Sequence, residues 1–120
     1  MQESGEMYLE TILILSRQKD AIRAIDVGQK MGYSKPSVSR ALSRLRSDGF
    51  LLVDGNGYLR LTDKGNAVAE KIYERHQVLS EMLMRLDVDP ETAVDDACRI
   101  EHVISDKSFA AIKEHIKQKG

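Results

Sequence analysis

Residues 34–62, SKPSVSRALSRLRSDGFLLVDGNGYLRLT, restrict what this chain can fold into more than any other stretch. Ser34 is a helix N-cap residue type and Pro36 suits a first helical turn, so a helix begins here. Val38, Leu42 and Leu45 put an apolar stripe on one face of it, and Gly49 ends it. Two apolar runs then flank the glycine-rich DGNG, and Leu59 and Leu61 alternate with Tyr58 and Arg60, which is the pattern of a β-hairpin. A capped helix closed by glycine and followed at once by a hairpin must find its remaining core partners in the flanking segments.

Those segments are helical in pattern. Upstream, Tyr8, Leu9, Ile12, Leu13 and Leu15 predict a first helix over 5–18, and AIDVGQKMGYS predicts a short second one with Asp26 near its start and Gly32 at its stop. Downstream, Thr62 can cap a long helix over 63–86 with Val68, Ile72, Leu79 and Leu83 on one face. Pro90 opens a fifth helix that carries DDACRIEHVIS, and SFAAIKEHIKQK makes a sixth. Helix, helix, turn, helix, hairpin is the order of a winged helix-turn-helix. The expected fold is therefore mainly α: a winged helix-turn-helix DNA-binding domain over 1–64, followed by an all-helical domain over 65–120.

The charge distribution agrees with an anionic partner for the first half. The net charge is only −1. Yet residues 30–64 hold seven Lys and Arg against three acids, a balance of +4, and residues 86–106 hold seven acids against Arg99 alone, a balance of −6. On the third helix, the face opposite the apolar stripe carries Ser37, Arg40, Arg44 and Ser47. Ser37, Arg40 and Arg44 of that face, with Lys35, Pro36 and Ser39 of the same helix and Arg60 on the wing, are the candidate DNA contacts. Arginine can bond guanine edges in a bidentate fashion, while serine and lysine bond phosphates. The plain alternative is a solvated helix face.

Other classes of function find little support. The longest apolar run, ILIL, falls far short of the roughly 20 residues a membrane span needs. The opening MQESGEMYLE is acidic where a secretory leader would be basic and then apolar, and one cysteine cannot form an internal disulfide, so a soluble cytoplasmic protein is expected. The order E-H is not the HExxH of a metalloprotease, and neither a nucleophile elbow nor a phosphate loop occurs, so no enzyme is expected.

DDACRIEHVIS holds the chain's only cysteine, Cys98, with Glu101 and His102 three and four residues later. On a helix these spacings put thiol, carboxylate and imidazole on one face. Taken with EMYLETI, SKPSVSRALSRLRSDGFL, LTDKG and RHQVLSEML, this stretch makes the chain resemble the metal-dependent repressors of the diphtheria-toxin-repressor type, in order and over nearly the whole length. The resemblance implies a homodimer that binds a palindromic DNA operator and uses a divalent metal as corepressor. It implies that residues 65–120 serve dimerisation and metal binding, and that the chain is of the short two-domain form without an SH3-like domain. It implies as metal ligands Met7 and Glu10 on the first helix, His76 on the fourth, and Cys98, Glu101 and His102 on the fifth.

Each of these has an ordinary alternative: Met7 and Cys98 as core, Glu10 facing solvent, His76 at a dimer interface. Side by side in an apolar I-E-H-V-I run, Glu101 and His102 would be costly to bury unpaired. The manganese-sensing branch is oxygen-rich where this chain has the sulfurs of Met7 and Cys98. Soft sulfur ligands favour iron(II), cobalt(II), nickel(II) or zinc over manganese(II). In this the site resembles the iron-sensing branch, which implies iron(II), with manganese(II) as the alternative. The resemblance allows a second metal site built on Glu10 and His76, but that site is in doubt because it also draws on positions that here read Ser80 and Val94. In the expected mechanism metal ties the two halves together and sets the spacing of two recognition helices about 34–36 Å apart or a multiple of it. The dimer is expected through helices four to six, around Ile72, Leu79, Leu83, Val103 and Ile104. A winged-helix regulator that senses no metal is the other reading.

Overall fold

A computed structural model describes residues 3–119, and among them are six helices and one two-stranded antiparallel sheet. The chain divides into two compact units between Glu70 and Lys71, inside the fourth helix.

In the first unit, α1 (Glu3–Ser16) starts and stops two residues earlier than its apolar pattern suggested. It buries Tyr8, Leu9, Ile12, Leu13 and Leu15, and its last turn closes as the Ser16 hydroxyl donates to the Leu13 carbonyl at 2.7 Å. The next helix, α2 (Ala24–Met31), has Asp26 in its first turn, where the carboxylate accepts the Arg23 backbone N–H at 2.8 Å. That bond, with Lys19 at 3.1 Å, holds the Asp26 carboxyl below its ordinary range. Gly32 ends α2 in the left-handed conformation at φ 73°, which costs glycine no side-chain clash.

The third helix, α3 (Lys35–Ser47), follows after the turn Gly32–Ser34, with Ser34 as its cap. Val38, Leu42 and Leu45 are its buried stripe. The hairpin is β1 (Leu51–Val53) paired with β2 (Leu59–Leu61) in the register Leu51↔Leu61 and Val53↔Leu59. Its turn is organised by the Asp54 carboxylate, which accepts the N–H groups of Asn56 and Tyr58 at 2.8 and 3.0 Å. The wing is also fastened to the loop before α2, because the Leu59 N–H donates to the Ile22 carbonyl at 2.7 Å.

Thr62 then joins the wing to the long α4 (Asp63–Arg85). Its hydroxyl donates to the Gly49 carbonyl at 2.7 Å and accepts the Gly65 N–H at 3.0 Å, so one side chain caps α4 and ties it to the end of α3.

The second unit contains the rest of α4 with α5 (Pro90–Ile100) and α6 (Asp106–Lys119). Asp89 caps α5 by accepting the Thr92 N–H at 3.0 Å, and Pro90 occupies its first turn. Two expectations need correction here. The fifth helix stops at Ile100, with Glu101 as its helical-φ/ψ C-cap, so His102 lies in the turn that follows rather than on the helix. And Ile72 and Leu79, expected at a dimer interface, are only 2% and 0% exposed within one chain, so neither offers surface to a partner; Val103, at 75%, does.

Candidate metal centre and nucleic-acid interface

The second unit brings three of the candidate ligands together. The ligating atoms of His76, Cys98 and Glu101 all lie within 4.8 Å of one another. His76 comes from the middle of α4, Cys98 from the last turn of α5, and Glu101 from its cap, so the end of α5 converges on the side of α4. His76 Nδ1 is hydrogen-bonded to Glu101 Oε2 at 2.9 Å, and Cys98 Sγ sits 3.7 Å from the same ring nitrogen. His102 Nε2 is 3.3 Å from the other carboxylate oxygen, Glu101 Oε1.

Burial decides how this cluster is read. Glu101 is 1% exposed, and its Oε1, although close to His102, accepts no hydrogen bond among the described residues. A buried carboxylate oxygen without a donor is costly, and a cation is one way to satisfy it. Cys98, by contrast, is exposed and can be reached from solvent. A thiol, an imidazole and a carboxylate suit a divalent transition ion of borderline softness. The donor set therefore fits a metal. Met7 and Glu10 lie one turn apart on α1, in the first unit. Of the two residues at the doubtful second site, Ser80 is buried, with its hydroxyl unpartnered among the described residues, and Val94 is exposed on α5.

Sequence reasoning passed over Arg75. It is 6% exposed, and its guanidinium donates to the main-chain carbonyls of Glu101 at 3.2 Å and Ile104 at 2.8 Å. It also pairs with Asp106, which Lys71 meets at 3.0 Å. These cations, Lys71 foremost, hold the Asp106 carboxyl below its ordinary range. The signal was present in the sequence: Arg75 falls on the stripe between Ile72 and Leu79, where a charge has to find partners.

In the first unit, Lys35, Pro36, Ser39, Arg40 and Arg44 are all exposed along α3, as is Arg60 on β2. Ser37 is different. It is half-buried, and its hydroxyl lies 3.0 Å from that of Ser34, so it belongs in part to the cap. Arg40 and Arg44 line an open cleft of about 760 Å³ together with Tyr8, Phe50 and Lys64. The Lys64 ammonium donates to the Asp48 carbonyl at 3.2 Å and lies 4.3 Å over the Phe50 ring, which adds a fixed cation to this side of α3 that sequence reasoning did not single out. On the wing side, the Arg23 guanidinium lies 4.6 Å over the Tyr58 ring. No helix among the described residues is long and apolar enough to cross a membrane.

Comparison with known proteins supplies the remaining findings. Residues 1–59 match the model of the iron dependent repressor N-terminal DNA binding domain, and residues 62–119 match that of the iron dependent repressor metal binding and dimerisation domain. The iron-dependent repressor IdeR of Mycobacterium leprae is 35% identical over 105 residues, covering 87% of this chain and 46% of its own. The transcriptional regulator MntR of Salmonella typhimurium is 34% identical over 114 residues, covering 94% of this chain and 72% of its own. Among solved structures, that of the manganese regulator SloR superposes with a TM-score of 0.84 at 27% identity, over 94% of this chain and 53% of the other. The chain thus spans about half the length of the mycobacterial relative and of SloR, and nearly three quarters of the Salmonella one.

Proposed function

Because this chain belongs to the iron-dependent repressor family, whose members are transcriptional repressors and not enzymes, we propose that it is a divalent-metal-dependent repressor that binds a palindromic DNA operator as a homodimer in the cytoplasm. Residues 1–64 bind the DNA, through Lys35, Pro36, Ser37, Ser39, Arg40 and Arg44 of α3 and Arg60 of the wing. Residues 65–120 form the dimer and hold the metal. The observation that carries this reading is the convergence of His76, Cys98 and Glu101 within 4.8 Å of one another, on a buried carboxylate whose Oε2 meets His76 and whose Oε1 accepts no hydrogen bond among the described residues.

His102 joins these three as a ligand because it meets the same carboxylate. Met7 and Glu10 are retained on the resemblance alone. The bound ion would supply positive charge and directional bonds among thiolate, imidazole and carboxylate. The chain's own part is to keep Glu101 dry and to present the Cys98 sulfur to the ion. Sulfur in the set favours iron(II), cobalt(II), nickel(II) or zinc over manganese(II), and the match to the iron dependent repressor domains favours iron(II) among them. Manganese(II) is the second reading, favoured by the likeness to a manganese regulator.

On α3, the fixed positions of Ser34 and Pro36 set the start of the helix, so Arg40 and Arg44 project one turn apart from its exposed side. A cobalt(II) titration of the purified protein tests the metal reading. A cobalt–thiolate bond gives a near-ultraviolet charge-transfer band, expected in the wild type and absent in Cys98→Ser. Tight cobalt binding without that band would remove Cys98 from the site and, with it, the preference for iron(II).

A further inference from the structure

Consecutive residues of α4 grip Glu101 at its two ends. His76 bonds the carboxylate at 2.9 Å, and Arg75 bonds the main-chain carbonyl at 3.2 Å. Resting on the metal reading above, we infer that Arg75 is a positioning residue for the metal centre: its guanidinium fixes the turn that carries Glu101 and His102 against the helix that carries His76.

The turn itself explains why it needs such a fastening. From Glu101 to Ile104 the chain has left α5, and the N–H groups of Glu101, Val103 and Ile104 bond back to Ala97 and Ile100. Those bonds keep the turn attached to α5 and say nothing about its distance from α4. The carbonyls of Glu101 and Ile104 go to one guanidinium, at 3.2 and 2.8 Å. The second Nη of that group pairs with Asp106, the first residue of α6. Three acceptors on one rigid, planar fork locate both ends of the turn and the start of the next helix. Arg75 is 6% exposed and its guanidinium stands 5.5 Å over the Phe109 ring, so packing holds the fork in place. An ammonium cannot copy the arrangement, because a single nitrogen does not span three separated acceptors in a plane.

A ligand turn held in this way is set to the spacing of the site before an ion arrives, and groups that orient ligands without touching the metal govern affinity. Cobalt(II) binding to the full chain, followed by its visible and near-ultraviolet absorption, tests the role. Arg75→Lys is expected to bind cobalt about tenfold or more weakly, in the range typical for loss of a group that orients ligands. At saturating cobalt its visible bands should also differ from those of the wild type, because Glu101 and His102 reach the ion in altered geometry. Asp106→Asn, which takes one charge from the fork and leaves both carbonyl bonds, should shift the same bands in the same direction by less. Ile112→Ala on α6, matched to Arg75→Lys in melting temperature, should keep the wild-type spectrum and affinity.

Equal affinity and identical bands in wild type and Arg75→Lys would overturn the positioning role while leaving the metal reading intact. So would an equal loss in Ile112→Ala, which would make the effect one of general stability. A wild type that binds no cobalt would overturn the metal reading itself, and the role of Arg75 with it.

Discussion

Replacing Gly65 with alanine sets two effects of opposite sign against each other. Gly65 sits in the first turns of α4, and in a helix interior alanine is favoured over glycine by about 1 kcal/mol. Propensity alone therefore predicts a more stable protein. The surroundings predict the reverse. A Cβ at this position would lie 2.0 Å from the Phe50 carbonyl oxygen, 3.0 Å from its carbon and 3.3 Å from its Cα. All three obstacles are backbone, so no rotamer change relieves them, and the start of α4 must move away from Phe50 by more than an ångström.

Overpacking of this kind costs about 1–3 kcal/mol. The movement also pulls on the Thr62 hydroxyl bond to Gly49 and the Thr62 N–H bond to Phe50, at 2.7 and 3.2 Å. Hydrogen bonds contribute about 1 kcal/mol each, so weakening the two adds about 1–2 kcal/mol. Subtracting the helix gain of about 1 kcal/mol leaves a net loss of roughly 1–4 kcal/mol. For a domain of this size, that lowers the melting temperature by roughly 4–20 °C. Urea unfolding followed by circular dichroism would give the value directly. A Gly65→Ala protein as stable as the wild type, or more so, would refute the packing argument and show that propensity governs the site.

The other expected outcomes concern the two functional surfaces and the response to acid. Arg40→Ala should lower affinity for the specific operator by about 1–3 kcal/mol and relax one base position, whereas Lys35→Ala should weaken binding to all sequences and reduce the salt slope by about one unit, both read by binding titrations at several salt concentrations. Cys98→Asp should turn a sulfur-containing site into an oxygen-rich one and move the ranking of metals toward manganese(II), measured by competition between manganese(II) and cobalt(II). The Asp26 carboxyl is depressed by the Arg23 N–H and by Lys19, so it stabilises the fold above the usual carboxylate range and stops doing so as the pH falls through its depressed value. The difference in melting temperature between wild type and Asp26→Ala should thus be full at about pH 6 and shrink steadily in stronger acid.

Residues 34–62 were legible because their signals are local. Ser34, Pro36, Gly49 and DGNG each act within a few residues, and the structure has α3, β1 and β2 where these residues imply them. The end of α5 was not legible for the opposite reason. I-E-H-V-I keeps helical spacing, yet the helix stops at Ile100, and the turn beyond it is held by Arg75, which lies 26 residues before Glu101 in the chain. Nothing near His102 announces that fastening. Periodicity likewise gave the apolar stripe of α4 without saying what covers it: Ile72 and Leu79 are buried within one chain, and the stripe continues through a charged residue, Arg75, that only long-range partners make tolerable. The grouping of Cys98 with Glu101 was legible from spacing alone, since both belong to the end of α5, while the approach of His76 depends on how α4 packs.

The central claim is that DNA binding by this chain depends on a divalent metal. Anaerobic titration of the purified protein with iron(II), manganese(II) and zinc(II), read by affinity for a library of palindromic duplexes, tests it most directly. With iron(II) the affinity for selected duplexes should rise by about 5–150-fold over the metal-free protein, with a smaller rise for manganese(II), and a chelator should reverse the gain. Selection of the same duplexes with the same affinity in the presence of excess chelator would contradict the claim.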